Sequence, residues 1–205
     1  MIIKRFIAGR LENNIYLVAD EKSSEAVLID ATQDLPEIQK AVKDLGVKVK
    51  YILLTHGHFD HIFGLNSLKK SLNAPAVICK DDLVISDNIN EFTRLFGLPD
   101  SVPPKYDMYI KDGDEILLGS YKIKVIHTPG HTEGGVCYLV DGKLFSGDTL
   151  FRGSVGRTDL FGGNFGKLSD SIKNKLFKLD DKTEVFPGHG DMTTIGFEKK
   201  YNEII

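Results

Sequence analysis

The sequence predicts an α+β fold in which two sheets pack face to face and carry helices on their outer surfaces. Three observations predict it. Short runs rich in β-branched and aromatic residues recur along the chain, bounded by turn formers. A few longer segments carry apolar residues at helical spacing. The two kinds follow one another as strands, then helix, strand, helix, strand, and this order repeats in outline. No exact repeat and no low-complexity linker interrupts it, so residues 1–205 are expected to form one domain.

The first strands are expected at 2–7, 14–19 and 26–29. In 34–45, Leu35, Ile38, Val42 and Leu45 recur at helical spacing, with Pro36 early and Gly46 after the end, which specifies a helix. Residues 49–54 read as a buried strand, Leu65, Leu68 and Leu72 as the apolar stripe of a second helix, and 75–79 as a further strand. Residues 80–105 combine a short helical pattern (Ile89, Phe92, Leu95, Phe96) with Gly97, Pro99, Pro103 and Pro104. That stretch is expected to leave the core with its own helix, as a lid would. Strand signals return at 115–118, 122–126, 135–140 and 143–145, with Asp141 and Gly142 where a hairpin needs positive φ. After a glycine-rich loop, Leu168, Ile172, Leu176 and Leu179 mark a helix, 184–186 a last strand and 193–205 a last helix.

Composition narrows the function. Hydrophobic residues make up 41% and charged residues 27%, ordinary for a soluble globular protein. A net charge of -3 argues against a nucleic-acid footprint. No apolar run reaches membrane-spanning length, and the first residues lack the pattern of a secretion signal. Cys79 and Cys137 lie far apart in apolar segments, as buried free thiols do in a reducing cytoplasm.

The chemistry is concentrated in Thr55-His56-Gly57-His58-Phe59-Asp60-His61, directly after an apolar run. Three imidazoles and a carboxylate so close together repel or compete for protons unless a divalent metal takes their lone pairs. Three further motifs each place one ligand-type residue just past a strand end beside Gly or Pro: Pro129-Gly130-His131, Ser146-Gly147-Asp148 and Pro187-Gly188-His189. Five of the six histidines sit in these motifs, and the sixth, His127, is expected on the strand before the His131 turn, pointing away from the metals or supporting a ligand from behind. His56, His58 and His131 can make one three-nitrogen set, and Asp60, His61 and His189 another. Asp148 can bridge the two through its two oxygens. Two cations about 3.5–4 Å apart, with an open position for water, suit hydrolysis.

The motifs HGHFDH, TPGHT, SGDT and PGHG, in this order, resemble the metallo-β-lactamase fold superfamily over residues 16–202. The stretches 150–159 and 193–198 are similar to the short bacterial members of its glyoxalase II-like branch. The resemblance implies a four-layer αββα sandwich with two divalent metals at one edge between the sheets, zinc being the first expectation and iron or manganese admissible. It also implies the same ligands: His56, His58, Asp60, His61, His131, Asp148 and His189. Two features depart from full-length glyoxalase II: the C-terminal helical domain that supplies contacts to glutathione, and a Lys-x-Tyr substrate contact whose place is taken by Arg157 and Asp159.

The expected activity is hydrolysis of a small-molecule thioester, such as S-lactoylglutathione or an analogue on another thiol, by a hydroxide bridging the metals. Asp60 would ligate metal and orient the hydroxide, Asp148 would bridge, and Arg157 would hold the distant end of the substrate. Thr132 and Glu133 are expected to brace His131. The alternative is a persulfide dioxygenase of the same fold, with one iron on His56, His131 and Asp148. The oxygen-reducing flavoprotein modules of the superfamily replace a histidine that this chain keeps as His58, and nucleic-acid-processing members add basic segments. A β-lactamase role is disfavoured by Asp60 and by the absence of a secretion signal.

Overall fold

The computed structural model describes residues 1–205, the side chain of Leu95 excepted. One six-stranded sheet holds β1 (Ile2–Ala8), β2 (Asn13–Asp20), β3 (Glu25–Ile29), β4 (Lys48–Leu53), β5 (Ala76–Cys79) and β6 (Met108–Ile110) in chain order. The first three pair antiparallel, and β3 through β6 run parallel. Parallel neighbours need crossovers, and helices supply them. These are α1 (Pro36–Leu45), α2 (Phe59–Ile62), α3 (Leu65–Leu72), α4 (Leu83–Asp87) and α5 (Ile89–Leu95). Pro36 opens α1 and Gly46, left-handed, ends it.

The second sheet contains β7 (Glu115–Leu118), β8 (Tyr121–His127), β9 (Val136–Val140), β10 (Lys143–Gly147), β13 (Glu184–Pro187) and β14 (Thr193–Thr194). Its spatial order is β14-β13-β10-β9-β8-β7. The β9–β10 turn has φ of 48° at Asp141 and 71° at Gly142, the geometry its sequence announced. A small hairpin, β11 (Leu150–Phe151) with β12 (Ser154–Val155), precedes α6 (Phe165–Asn174), and α7 (Ile195–Tyr201) closes the chain.

Side-chain alternation turns these elements into four layers. In β2, Tyr16 and Val18 face the second sheet, where they meet Val125, Tyr138, Phe145 and Phe186. Ile15, Leu17 and Ala19 face the other way, onto a core shared with Ile38 of α1 and Leu65 and Leu68 of α3. All eight residues of β2 are therefore buried, as expected of a strand covered on both faces. On the far side, Ile126, Cys137, Leu144 and Val185 pack against Leu168, Ile172 and Ile195 of α6 and α7. The architecture is the αββα sandwich anticipated from the motifs.

Several elements differ from the periodicity. The helix expected to reach Leu179 stops at Asn174, and a single 3-10 turn over Leu176–Lys178 follows. Leu176 still enters the outer core through that turn, so the apolar stripe continues while the helix does not. Residues 193 and 194 pair with β13 before α7 begins, and the Thr194 hydroxyl caps that helix by accepting from Phe197 N. The short elements β6, β11, β12, α2 and α4 have too few residues for a period to show. In 80–105 the helical pattern is realised as α5, and the side chain of Leu95 lies outside the described residues. Cys79 and Cys137 are buried free thiols, and burial pushes Cys137 up to about 11. No helix among the described residues is long and apolar enough to cross a membrane.

Candidate metal centre

Strand direction brings the distant motifs together. β8 and β10 are both antiparallel to β9, and β10 is parallel to β13, so all three end at the same edge of the second sheet. β3 and β4 are parallel and end at the facing edge of the first. Cross-sheet hydrogen bonds pin the two edges: Tyr138 Oη donates to Leu54 O at 2.6 Å, Tyr16 Oη to Pro187 O at 2.8 Å and Asn14 N to Gly188 O at 2.7 Å.

At this edge His56, His58 and His131 converge, as do Asp60, His61 and His189. His58 Nδ1 lies 2.9 Å from His131 Nε2. In the second set, His189 Nε2 is 3.3 Å and His61 Nε2 3.6 Å from Asp60 Oδ2. Asp148 stands between the sets. Its Oδ1 is 3.3 Å from His61 Nε2, and its Oδ2 is 3.6 Å from His131 Nε2 and 3.5 Å from His189 Nε2.

The other nitrogen of four of these histidines is held, which fixes which nitrogen faces inward. His61 Nδ1 donates to Asp30 Oδ2 at 2.8 Å, His131 Nδ1 to Arg157 O at 2.7 Å and His189 Nδ1 to Leu11 O at 2.8 Å. The Thr55 hydroxyl donates to Asp30, so it accepts from His56 Nδ1 at 3.1 Å. His56 Nε2, His61 Nε2 and Asp148 Oδ1 are left buried with no hydrogen-bond partner. Orphaned polar atoms of this kind are costly to bury, and a cation satisfies them. The donor set of imidazole nitrogen and carboxylate oxygen fits zinc, iron or manganese.

Electrostatics divide the cluster. Burial, then the neighbouring His61 and His131, hold His56 well below the ordinary imidazole value. Burial, then His131, bring His58 to about 3. Both are neutral lone-pair donors at neutral pH. Burial works against charge at His61 and His189 too, but the surrounding carboxylates, Asp148 foremost, outweigh it and raise both, His189 to about 10. In return His61 leads the effects that overcome burial at Asp60, held at about 2, and at Asp148, held well below the carboxylate range.

Three supporting residues escaped the sequence reading. Asp30 sits just past β3 with φ of 63° and accepts from Thr55 N, Thr55 Oγ1 and His61 Nδ1. Its strand-end position is the signal that could have found it. Asn13 Nδ2 donates to Asp60 Oδ2 at 2.8 Å. Asp82, fully buried, accepts from Gly57 N, Thr132 Oγ1 and Gly134 N, tying the His56–His58 loop to the His131 loop. Nothing in the sequence sets it apart from Asp81.

The expected braces are placed elsewhere. Thr132 bonds Asp82, and the Glu133 carboxylate pairs with Lys167, so it is Arg157 O that braces His131. The Arg157 guanidinium makes a two-point pair with Asp159, at 2.7 Å on both contacts. His127 ends β8 with Nε2 against Glu133 O at 2.8 Å, outside the cluster.

An αββα sandwich with a histidine–aspartate cluster at the sheet edge defines a metallo-hydrolase type of protein. The chain belongs to the Metallo-beta-lactamase superfamily, whose family model matches residues 8–189. It is 32% identical to hydroxyacylglutathione hydrolase GloC of Haemophilus influenzae, over 95% of this chain and 93% of that protein. It is similar to the di-iron-bound form of TTHA1623, with a TM-score of 0.89 and 35% identity over 98% of this chain and 100% of that one. It is also similar to ETHE1 from Myxococcus xanthus, with a TM-score of 0.84 and 29% identity over 99% of this chain and 84% of that one.

Proposed function

We propose that the protein is an enzyme, a metal-dependent hydrolase that cleaves thioesters, with hydroxyacyl thioesters such as S-lactoylglutathione, or analogues on another thiol, as its substrate class. The observation that carries this reading is the assembly of two three-residue sets around one shared carboxylate, Asp148. His56, His58 and His131 would hold one divalent cation, and Asp60, His61 and His189 the other, zinc being the first choice. When bound, the pair would supply hydroxide at neutral pH and polarise the substrate carbonyl.

The chain's own part is to hold and orient. Asn13 Nδ2 fixes Asp60 Oδ2, which leaves the other Asp60 oxygen to orient the attacking oxygen nucleophile. Asp30, Leu11 O and Arg157 O keep three imidazoles in one tautomer. The Arg157 carbonyl braces His131, and its exposed guanidinium, paired with Asp159 at the surface, is the group that would hold the distant end of the substrate. A thiolate leaves readily because a thiol's pKa is about 8.5, so no additional strong acid is required of the chain. Similarity to the hydroxyacylglutathione hydrolase supports the substrate class. Two buried free thiols support a reducing, cytoplasmic setting.

A second reading, a persulfide dioxygenase with one iron on His56, His131 and Asp148, is favoured by the likeness to ETHE1. Elemental analysis of protein purified without added metal separates the two, paired with thioester, persulfide and β-lactam assays. Two cations per chain, with thioester cleavage that chelation abolishes while the fold persists, is the expected result. One iron with oxygen consumption on persulfide would establish the second reading. Cleavage of β-lactams alone would overturn both.

A further inference from the structure

A cavity of about 460 Å³ opens beside Asp60 and reaches Arg10 on the β1–β2 turn. Its wall is mostly aromatic and aliphatic, built from Phe59 and Phe63 near the metal loop and from Phe96 and Leu98 of the 80–105 excursion. The Phe59 and Phe96 rings are 4.8 Å apart. Asn13 and Thr32 also line it, and their Oδ1 and Oγ1 atoms are shut off from solvent with no hydrogen-bond partner. Phe96 and Leu98 of the excursion thus wall one side of the space next to the cluster.

Arg10 distinguishes this cavity from a plain apolar pocket. Arg5, Arg94 and Arg157 pair with Asp191, Asp100 and Asp159. Arg10 pairs with no carboxylate among the described residues. Its Nη1 donates to Phe96 O at 3.0 Å, which leaves most of a five-donor guanidinium for a ligand. A lactoyl-sized group would leave most of the cavity as water against aromatic rings, an arrangement the hydrophobic effect opposes.

We propose that this cavity takes one arm of the substrate, and that the arm has an apolar, aryl or branched aliphatic body ending in a carboxylate received by Arg10. Calling the ligand an arm of the substrate rests on the thioester reading. Binding of apolar carboxylates at this place does not. The arm lies against Phe59, Phe63 and Phe96, with its reacting carbonyl toward Asp60 and its charged tip at the surface.

Calorimetric titration of the protein as purified, with its metals, tests this using phenylbutanoate and its uncharged primary amide. The carboxylate should bind about tenfold more tightly than the amide, as a charge-assisted contact to guanidinium implies. Arg10→Ala should weaken the carboxylate about tenfold and the amide less than about twofold, and Arg10→Lys should fall between, because a lysine loses the forked geometry. Phe63→Ala should weaken both probes. A carboxylate affinity that Arg10→Ala leaves unchanged, as direct binding to the metals would give, overturns the proposal, and so does failure of both probes to bind. If charge-selective binding is found but no thioester is cleaved, the functional reading falls and the cavity assignment stands. If thioesters are cleaved but Arg10→Ala does not change carboxylate binding, the cavity assignment alone falls.

Discussion

Asp82→Ala is the most informative single perturbation of the scaffold. The Asp82 carboxylate is fully buried and accepts from Gly57 N at 2.7 Å, Thr132 Oγ1 at 2.8 Å and Gly134 N at 2.6 Å. Removing it strands three buried donors, each costing about 1–3 kcal/mol. Against this, burial pushes the Asp82 carboxyl above its ordinary value, so its charge is held at a cost that the substitution relieves. A net loss of about 3 kcal/mol follows, which for a chain of this size lowers Tm by about 10 °C. Asp82→Asn keeps one acceptor oxygen and should lose about 1 kcal/mol, enough to measure without risk to folding. Because Asp82 joins the loop of His56 and His58 to the loop of His131, metal affinity should fall about 10–100-fold, as when a group supporting metal ligands is lost. Thermal melts of metal-free and metal-loaded protein, with metal titration against a chromophoric chelator, read both effects. An Asp82→Ala protein with wild-type Tm and wild-type metal affinity would refute the view that this carboxylate couples the two loops.

Gly188→Ala should damage the site while sparing the fold. A methyl there would collide with Asp148 Oδ1 and lie 2.8 Å from His61 Cε1, so metal content should drop while far-UV circular dichroism is unchanged. Normal metal content in a folded variant would contradict the packing. A pH prediction concerns Asp20, whose carboxylate accepts from Ser120 N at 2.8 Å and Lys22 N at 2.9 Å and links the β2–β3 turn to the β7–β8 turn. The backbone N–H groups of Ser120 and Lys22 hold it at about 2, below the ordinary 3.8. A depressed folded-state value means its contribution is complete above 3.8 and fades as pH falls toward 2. Asp20→Asn should therefore be less stable than wild type near neutral pH, with the gap closing in acid. Urea melts across that range check it, and a gap independent of pH would count against the carboxylate's role.

The composition of the four motifs determined much of this protein before any fold was known. Imidazoles and carboxylates at strand ends have few stable uses without a cation, so His56, His58, Asp60, His61, His131, Asp148 and His189 could be picked out by chemistry alone. β-Branched and aromatic enrichment in runs such as 14–19 and helical spacing in 34–45 likewise revealed strands and helices. The shortest elements, β6, β11, β12, α2 and α4, stayed hidden, since no period fits inside them.

Tertiary structure decided what depends on neighbours distant in sequence. Asp82 differs from Asp81 only because three donors 25 to 52 residues away surround it. That the Arg157 carbonyl would brace His131 could not be read from the sequence, and Arg10 showed no sign of being an anion anchor until the fold set it, with no acidic partner, on a cavity beside Asp60. A side chain's chemistry is local and can be read from its identity. Whether that chemistry is already satisfied depends on which groups the fold places within hydrogen-bond reach.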